Sequence, residues 1–336
     1  MPGRSGRGAG RCAHAHRCQQ ALTARPRSSA GNPRSGAQPA PRAADAPRPL
    51  DPGRNSAGQR TAQQHGQGCR RWASTYLGGV GMNSPQSIHR VMHEIKRRKL
   101  KVLRVTELTP LMRRITLQGP ELAGFISLGT DDHVKLFFPQ TAQEQAALED
   151  LAATSDKDAP RPPMRDYTPR RYDESSGELD IDFVLHGEGP AATWAAQAEP
   201  GQFLHIAGPK GSMVVPDMFD SYLLIGDETA IPAIARRLES LPANRAALVV
   251  VEVANPQEQQ VFDSAAQVDV IWIVRGEQNL VDVTRRLEMP EGKLYAWVAT
   301  ESALSRKLRR VLLDEFGLQE DFVKAAGYWK LDGTEE

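Results

Sequence analysis

Over residues 219–336, short runs that are apolar throughout alternate with segments of helical character. The predicted strands lie at 222–225, 247–253, 268–274, 294–299 and 322–329, and the predicted helices at 231–240, 280–287 and 302–316. A strand that is apolar on both faces must be covered on both faces, which is the situation in a parallel sheet flanked by helices. The pattern therefore predicts a parallel α/β domain over 219–336.

The preceding residues, 88–216, contain several short β-rich runs and little helix. Residues 179–186 alternate apolar and polar side chains, which is the period of a half-buried strand. The other predicted strands lie at 100–107, 111–117, 133–138, 166–172 and 202–206, and helices are predicted at 142–152 and 191–198. This pattern predicts an antiparallel β-barrel. A barrel followed by a nucleotide-type α/β domain is the layout of flavin reductases, although architecture alone does not fix chemistry.

Residues 1–81 differ in composition from the rest of the chain. They hold 13 Arg, no Lys and two acidic residues, a net charge of +11, whereas residues 82–336 carry −10. With 13 Gly, 8 Pro and few large apolar residues, they bury too little surface to offset the entropy of ordering. We expect a disordered basic extension. Three interpretations of this segment stay open: translated sequence upstream of a start at Met82, a disordered tail, or a targeting or nucleic-acid-binding arm. We expect no nucleic-acid partner. We also expect residues 82–336 to form the functional unit.

All three cysteines, Cys12, Cys18 and Cys69, lie in this extension. Their absence from 82–336 excludes a disulfide scaffold, a cysteine-ligated zinc site, a Cys nucleophile and an all-cysteine iron–sulfur cluster from that part. The longest apolar runs, such as 246–251, are far shorter than the roughly 20 residues of a membrane span. We therefore expect no membrane span.

The most informative motif is the tetrapeptide Arg165-Asp-Tyr-Thr168. A flavin cofactor needs positive charge for its pyrophosphate, a flat surface for its isoalloxazine ring and hydrogen-bond donors near the ring nitrogens. Arg165 offers a planar cation, Tyr167 lies on the same face of a strand, and Thr168 supplies a hydroxyl and an amide. The alternative is an ordinary β-strand with no ligand.

Glycine-containing turns follow this motif. Gly187 and Gly189 lead from a strand end into a helix start, Gly208-Pro-Lys-Gly-Ser212 is a predicted tight turn, and the loop after Gly226 opens the first α/β helix. Free amides at a helix N-terminus attract phosphate, and a parallel sheet binds dinucleotides beyond the carboxyl ends of its strands. The loop after Gly226 lacks the G-x-G-x-x-G fingerprint, so a plain β–α connection remains the alternative.

Taken in order, these segments resemble the siderophore-interacting protein family of FAD-dependent ferric-siderophore reductases. The resemblance runs from about residue 88 to 332 and rests on these segments: 104–117, 133–139, 165–170, 182–187, 189–195, 208–212, 226–233 and 327–330. It implies a flavin-binding barrel over 88–216, an NAD(P)H-binding domain over 219–336, and reduction of siderophore-bound Fe(III) in the cytoplasm. Two departures are Thr300, where the family usually has Gly, and a longer excursion at 140–163.

The motifs and the resemblance together predict the site residues. The predicted contacts with FAD and the nicotinamide nucleotide are Arg165, Tyr167, Thr168, His186, Gly189, Ala192, Thr193, Trp194, Gly208, Asp227 and Thr229. Arg275, directly after a predicted strand, is expected to bind the 2′-phosphate of NADPH, with Arg236 and Arg237 as alternatives. A basic rim for an anionic ferric siderophore is predicted from Lys135, Arg170, Lys210 and Lys330, each of which is otherwise a solvated surface charge.

We expect no catalytic side chain and no resident metal, because a flavin can itself divide an electron pair into single electrons. Trp329 either approaches the cofactors or covers the core. We expect a monomer. Two other functions stay open: a flavin reductase of the same fold with another acceptor, and a non-catalytic protein that binds siderophore or flavin.

Overall fold

The computed structural model describes residues 87–150 and 160–331, all of which belong to one of the two units into which the chain divides, Leu77–Glu336. The predicted basic extension at 1–81 and its three cysteines lie outside the described residues.

Seven antiparallel strands form the first sheet. They are β2 (Arg97–Thr109), β3 (Met112–Gln118), β4 (Val134–Phe137), β5 (Met164–Tyr167), β6 (Pro169–Asp173), β7 (Glu178–Val184) and β8 (Phe203–Ala207). Their order across the sheet is β5-β4-β8-β2-β3-β7-β6, so β5 and β6 are the two edges. These edge strands are separated in sequence by Thr168 alone. Two edges can be one residue apart only if the sheet curls round to meet itself, and this curl is the predicted barrel architecture.

The two edges meet at Thr168, and we call this place the seam. The strands at the seam differ from the sequence prediction. A single strand was expected over 166–172, but the strand stops after Tyr167 and a second begins at Pro169. Proline has no N–H to continue a ladder and is confined to edges or strand starts. Tyr167 therefore pairs with Val134, whereas Pro169 pairs with Ile181 on the other side of the seam.

Apolar side chains from alternate positions fill the curled sheet. Leu100, Leu136, Leu179, Ile181 and Phe183 are fully buried in one cluster. Two helices belong to this region, α1 (Ala142–Glu149) and α2 (Pro190–Ala196), and each ends two or three residues earlier than predicted.

A short antiparallel ribbon outside the main sheets was not predicted. It joins β1 (His89–Met92) to β9 (Gly211–Val214). Neither four-residue strand is long enough to show a clear hydrophobic period, and the glycines at 208 and 211 indicated only a turn. The ribbon links residues preceding the first sheet to those following it.

Five parallel strands form the second sheet, as the apolar runs predicted. They are β10 (Ser221–Asp227), β11 (Ala246–Val253), β12 (Gln267–Val274), β13 (Leu294–Glu301) and β14 (Val323–Trp329), in the order β12-β11-β10-β13-β14. Side chains on the two faces enter separate apolar clusters, with Tyr222 and Leu224 on one face and Leu223 and Ile225 on the other. The predicted fold class, an antiparallel barrel followed by a parallel α/β sheet, is confirmed.

Three helices cover this sheet: α3 (Ile231–Ser240), α4 (Leu280–Thr284) and α5 (Ser302–Arg310). The helix predicted to continue to 316 changes to a π-helical turn at Val311–Glu315. Where β10 meets the turn before α3, a Cβ on Gly226 would lie 2.3 Å from the Ala230 Cβ, so only glycine permits this close approach. No helix within 87–150 or 160–331 has the length and apolar character needed to cross a membrane.

Candidate functional site

The seam places Arg165 and Tyr167 on one face of β5, as their spacing predicted. They pair with Leu136 and Val134, which point into the barrel core. The Tyr167 ring packs 4.5 Å from the Phe183 ring at 37°, and burial raises the pKa of its hydroxyl, so the group stays protonated at neutral pH. Arg165 is half-buried and donates from Nη1 to the Met164 carbonyl at 2.7 Å.

Thr168 lies between the two ladders and is 7% exposed. Its side chain lies beside that of Tyr328, near the end of β14. Burial raises the pKa of Tyr328, so this hydroxyl also keeps its proton. The Tyr328 ring packs edge-on against Trp297, with 6.0 Å between ring centroids. The parallel sheet is thereby joined to the seam of the barrel.

The turn from β7 into α2 is open at the helix N-terminus. Gly189 occupies the N-cap position, and no side chain caps the helix. The amide of Thr193 bonds the Gly189 carbonyl at 2.9 Å, so the preceding amides of Ala191 and Ala192 have no carbonyl partner within the helix. Such amides are suited to phosphate oxygens.

The remaining predicted residues of this turn have different environments. His186, Gly189 and Thr193 are exposed and Ala192 is half-buried. Trp194 packs against Phe138 and Phe183 with ring centroids 5.9 and 5.6 Å away, which makes it part of the barrel core.

The carboxyl edge of the parallel sheet brings Asp227, Thr229 and Trp329 together. Asp227 Oδ1 accepts from the amide of Thr229 at 2.9 Å and from its hydroxyl at 2.5 Å, and Oδ2 accepts from the indole Nε1 of Trp329 at 2.8 Å. Asp227 is 3% exposed, and this burial raises its pKa even though the hydrogen bonds oppose the shift. Trp329 remains 38% exposed at this edge.

Glu301, at the end of β13, is a helix-capping residue at this edge that the sequence analysis did not single out. Its carboxylate caps α5 by accepting from the amides of Ala303 and Leu304 at 2.7 and 2.9 Å, and these backbone bonds hold its pKa below the usual range. An acidic residue immediately before a predicted helix was the available signal. Thr300, the departure from the family pattern, is fully buried beside it.

The three candidate arginines for a nucleotide phosphate lie in different places. Arg275 lies at the carboxyl edge, where its guanidinium contacts Glu228 and Glu252. Arg236 donates to the hydroxyl and carbonyl of Ser127 in the barrel unit. Arg237 lies over the ring of Tyr222, near the opposite, amino edge of β10.

Gly208 and the basic side chains complete the predicted set. Gly208 is buried with φ of 95°, and its carbonyl accepts from Arg98 Nη1 at 3.0 Å. Lys210 is exposed in the following turn, and Lys330 is half-buried directly after β14.

Lys135 and Arg170 are held by carboxylates. Lys135 pairs with Asp166 at 3.0 Å, on the opposite face of the β4–β5 pair from Arg165 and Tyr167. Arg170 is 13% exposed and pairs with Glu239 on α3, with Asp182 at 3.9 Å. Lys135 and Arg170 therefore do not lie with Arg165 on one face of the seam. Arg170 instead connects the barrel to helix α3 of the α/β domain through its ion pair with Glu239.

Within the described ranges, no group of three or more His, Cys, Asp and Glu side chains is arranged to hold a metal ion.

Two protein-family sequence models match successive parts of this chain. A model described as a siderophore-interacting FAD-binding domain matches residues 101–213, and one described as siderophore-interacting protein matches residues 219–332.

Similar proteins carry related names. The NADPH-dependent ferric-chelate reductase of Escherichia coli (strain K12) is 37% identical over 255 residues, which cover 74% of this chain and 98% of the relative. The ferric vibriobactin reductase ViuB of Vibrio cholerae is 33% identical, covering 71% of this chain and 91% of that protein. Among solved structures, a siderophore utilization protein from T. fusca aligns with a TM-score of 0.66 and 34% identity, covering 74% of this chain and 98% of that chain.

Proposed function

Because this chain belongs to the siderophore-interacting protein family, we propose that it is an FAD-dependent ferric-siderophore reductase. It takes electrons from NADPH and delivers them through FAD to siderophore-bound Fe(III). Fe(II) binds hard anionic oxygen ligands less tightly than Fe(III) does, so reduction loosens the chelate and releases the iron.

One observation carries the proposal. Tyr328 and Trp329 are consecutive residues of β14, and each lies against one half of the site. Tyr328 lies beside Thr168 in the predicted flavin motif, while Trp329 donates a hydrogen bond to Asp227 in the predicted nucleotide loop. Hydride transfer requires the two cofactors to meet face to face. A single strand end that contacts both halves supports a shared reaction site there.

The residues at the seam fit a flavin nucleotide. The uncapped amides of Ala191 and Ala192 are suited to pyrophosphate oxygens, and Arg165 adds a positive charge. Tyr167 presents a protonated phenol on the same face as Arg165 and lies along the ring in our proposal. When bound, FAD accepts an electron pair and passes electrons singly to an acceptor.

The carboxyl edge of the parallel sheet is the proposed nicotinamide nucleotide site. Asp227 fixes the turn after β10 by accepting hydrogen bonds from Thr229, and the carboxyl ends of parallel strands are where such sheets bind nucleotides. Arg275 lies two strands away, at the end of β12, where it is placed to bind the adenosine end of the nucleotide.

The ferric siderophore is proposed to dock near Lys210 and Lys330. Residues 82–336 carry a net charge of −10, so an anionic chelate needs a local cluster of cations to approach. Asp166 pairs with Lys135 and reduces the positive charge that this lysine adds to the rim. The cytoplasmic location implied by the resemblance and the expected monomeric state stay predictions.

An acceptor panel tests the proposal. With NADPH as donor, the purified protein is given ferric catecholates, ferric hydroxamates, free flavin and a soluble electron-carrier protein. We expect a specificity constant for at least one ferric siderophore well above those for free flavin and the carrier. Preference for free flavin or the carrier would assign the chain to the alternative reductase, and absence of turnover with every acceptor would indicate a binding protein.

A further inference from the structure

Three successive strand ends of the parallel sheet bring one arginine and two glutamates into contact. Glu228 follows β10, Glu252 lies in β11 and Arg275 follows β12. Arg275 Nη2 donates to Glu228 Oε2 at 2.5 Å, and Arg275 Nε donates to Glu252 Oε2 at 3.2 Å. The amide of Arg275 also bonds the Val253 carbonyl at 2.9 Å, which fixes the backbone that carries the guanidinium.

These bonds orient the guanidinium and leave part of it available. Nε and Nη2 are used by the two carboxylates, and within the described part of the chain no hydrogen bond or ion pair engages Nη1 of Arg275. The Arg275 side chain is 45% exposed, whereas those of Glu228 and Glu252 are only 9% and 16% exposed. A ligand can therefore reach Arg275 from solvent, where it meets a cation whose charge is more than balanced by two carboxylates.

This surplus of negative charge affects whether the carboxyl edge of the sheet prefers a nucleotide with or without a 2′-phosphate. In doubly wound sheets, an acidic residue near the end of the second strand bonds the ribose 2′-hydroxyl, while a nearby arginine accommodates a 2′-phosphate. Glu252 lies in the second strand of this sheet along the chain, and Arg275 follows the third. The chain holds both groups at one point, 3.2 Å apart.

We propose that Glu252 is a specificity-determining residue that, through its contact with Arg275, restrains the preference of this site for a 2′-phosphorylated nucleotide. The proposal rests on the function proposed above, since it assumes that the carboxyl edge binds a nicotinamide nucleotide. The carboxylate accepts a hydrogen bond from a 2′-hydroxyl, and it repels a 2′-phosphate while competing with it for Arg275. Glu228, more deeply buried, holds the guanidinium in position.

Two adenosine nucleotides test the proposal without any electron transfer. 2′,5′-ADP carries the phosphate at issue and 5′-AMP carries a hydroxyl in its place, and their dissociation constants are measured by calorimetry on the flavin-loaded protein. We expect Glu252→Gln to shift the ratio of the two constants toward 2′,5′-ADP by about tenfold, because it removes a like charge close to the phosphate. Arg275→Ala is expected to shift the ratio by a similar factor the other way.

Glu277→Gln is the matched control, since this exposed glutamate follows Arg275 by two residues and is not among the hydrogen-bond or ion-pair partners of its guanidinium. It should leave the ratio within about twofold of the parent. In the double variant Glu252→Gln/Arg275→Ala, the part of the gain that comes from freeing Arg275 should be lost, so Glu252→Gln should shift the ratio less than it does in the parent. Thermal unfolding of each variant checks that the fold is kept.

The proposal is overturned if Glu252→Gln leaves the ratio unchanged, if Glu277→Gln moves it equally, or if neither nucleotide binds the parent protein. These outcomes are separable from failure of the proposed function. If the protein discriminates between the two nucleotides as expected but reduces no ferric chelate, the role proposed for Glu252 stands and the proposed reductase function is wrong.

Discussion

The indole Nε1 of Trp329 donates a 2.8 Å hydrogen bond to Asp227 Oδ2, across the carboxyl end of the strand that separates their own strands. Asp227 ends the central strand β10, and Trp329 ends the edge strand β14. The bond satisfies a carboxylate that is 3% exposed, and it fixes an aromatic side chain beside the predicted nucleotide loop. It therefore has both a structural and a functional consequence.

We predict that Trp329→Phe lowers the free energy of unfolding by about 1–3 kcal/mol, because the ring is kept while a buried acceptor loses its donor. Denaturant unfolding measures this loss. In an Asp227→Asn background the same change should cost less, since the acceptor is then neutral. Equal costs in both backgrounds would show that the indole stabilises the protein by packing alone.

Arg165→Ala should weaken FAD binding by about 1.5–3 kcal/mol, the value of a charge-assisted hydrogen bond to phosphate. Flavin fluorescence titration of the apoprotein measures the change. Arg161→Ala is the control, because this exposed arginine lies just before β5 and outside the proposed site. If both variants bind FAD like the parent, Arg165 does not hold the pyrophosphate.

Much of the fold could be predicted because it rests on local patterns. The five apolar runs predicted strands buried on both faces, and the alternation at 179–186 predicted a strand buried on one face. The break at Thr168 was missed because residues 166–172 are β-rich throughout, and only closure of the sheet makes both β5 and β6 edges.

The site was less predictable, since its contacts depend on which charges meet. Nothing local in the sequence indicates that Arg170 reaches Glu239, 69 positions away, or that Tyr328 reaches Thr168. Spacing predicted that Arg165 and Tyr167 share a face, because side-chain alternation is a local property of a strand.

Lys330→Ala should raise the KM for an anionic ferric catecholate about two- to fivefold at low salt and have less effect with a neutral ferric hydroxamate. The increase should fade as salt screens the charge, while flavin reduction by NADPH stays unchanged. Lys135→Ala is expected to change KM only slightly, because Asp166 already pairs with that lysine. If Lys330→Ala, Lys210→Ala and Lys135→Ala all reduce both chelates like the parent at low salt, the basic rim does not steer the substrate.

His205 should make stability depend on pH. It is 6% exposed on β8, its Nε2 has no hydrogen-bond partner among the described residues, and Glu149 lies 3.8 Å away. Burial, aided by the charge of Lys99, lowers its pKa below the ordinary 6.5. Between 6.5 and that lower value the unfolded chain binds a proton that the folded chain does not, so stability falls as the pH falls through this window.

His205→Phe should remove this contribution, so the variant loses less stability than the parent on acidification below 6.5. Urea unfolding across a pH series measures the difference. His133→Phe, at an exposed position, is the control and should follow the parent. A parent-like slope for His205→Phe would mean that other groups cause the acid sensitivity.

The visible spectrum of the purified protein under anaerobic conditions tests the central claim most directly. The account predicts the absorbance of oxidised flavin, its bleaching by NADPH, and its return on addition of a ferric siderophore, with Fe(II) captured by a chromogenic chelator in a two-to-one ratio to flavin. Flavin that NADPH does not bleach, or bleached flavin that ferric siderophores leave reduced while another acceptor reoxidises it, would contradict the account.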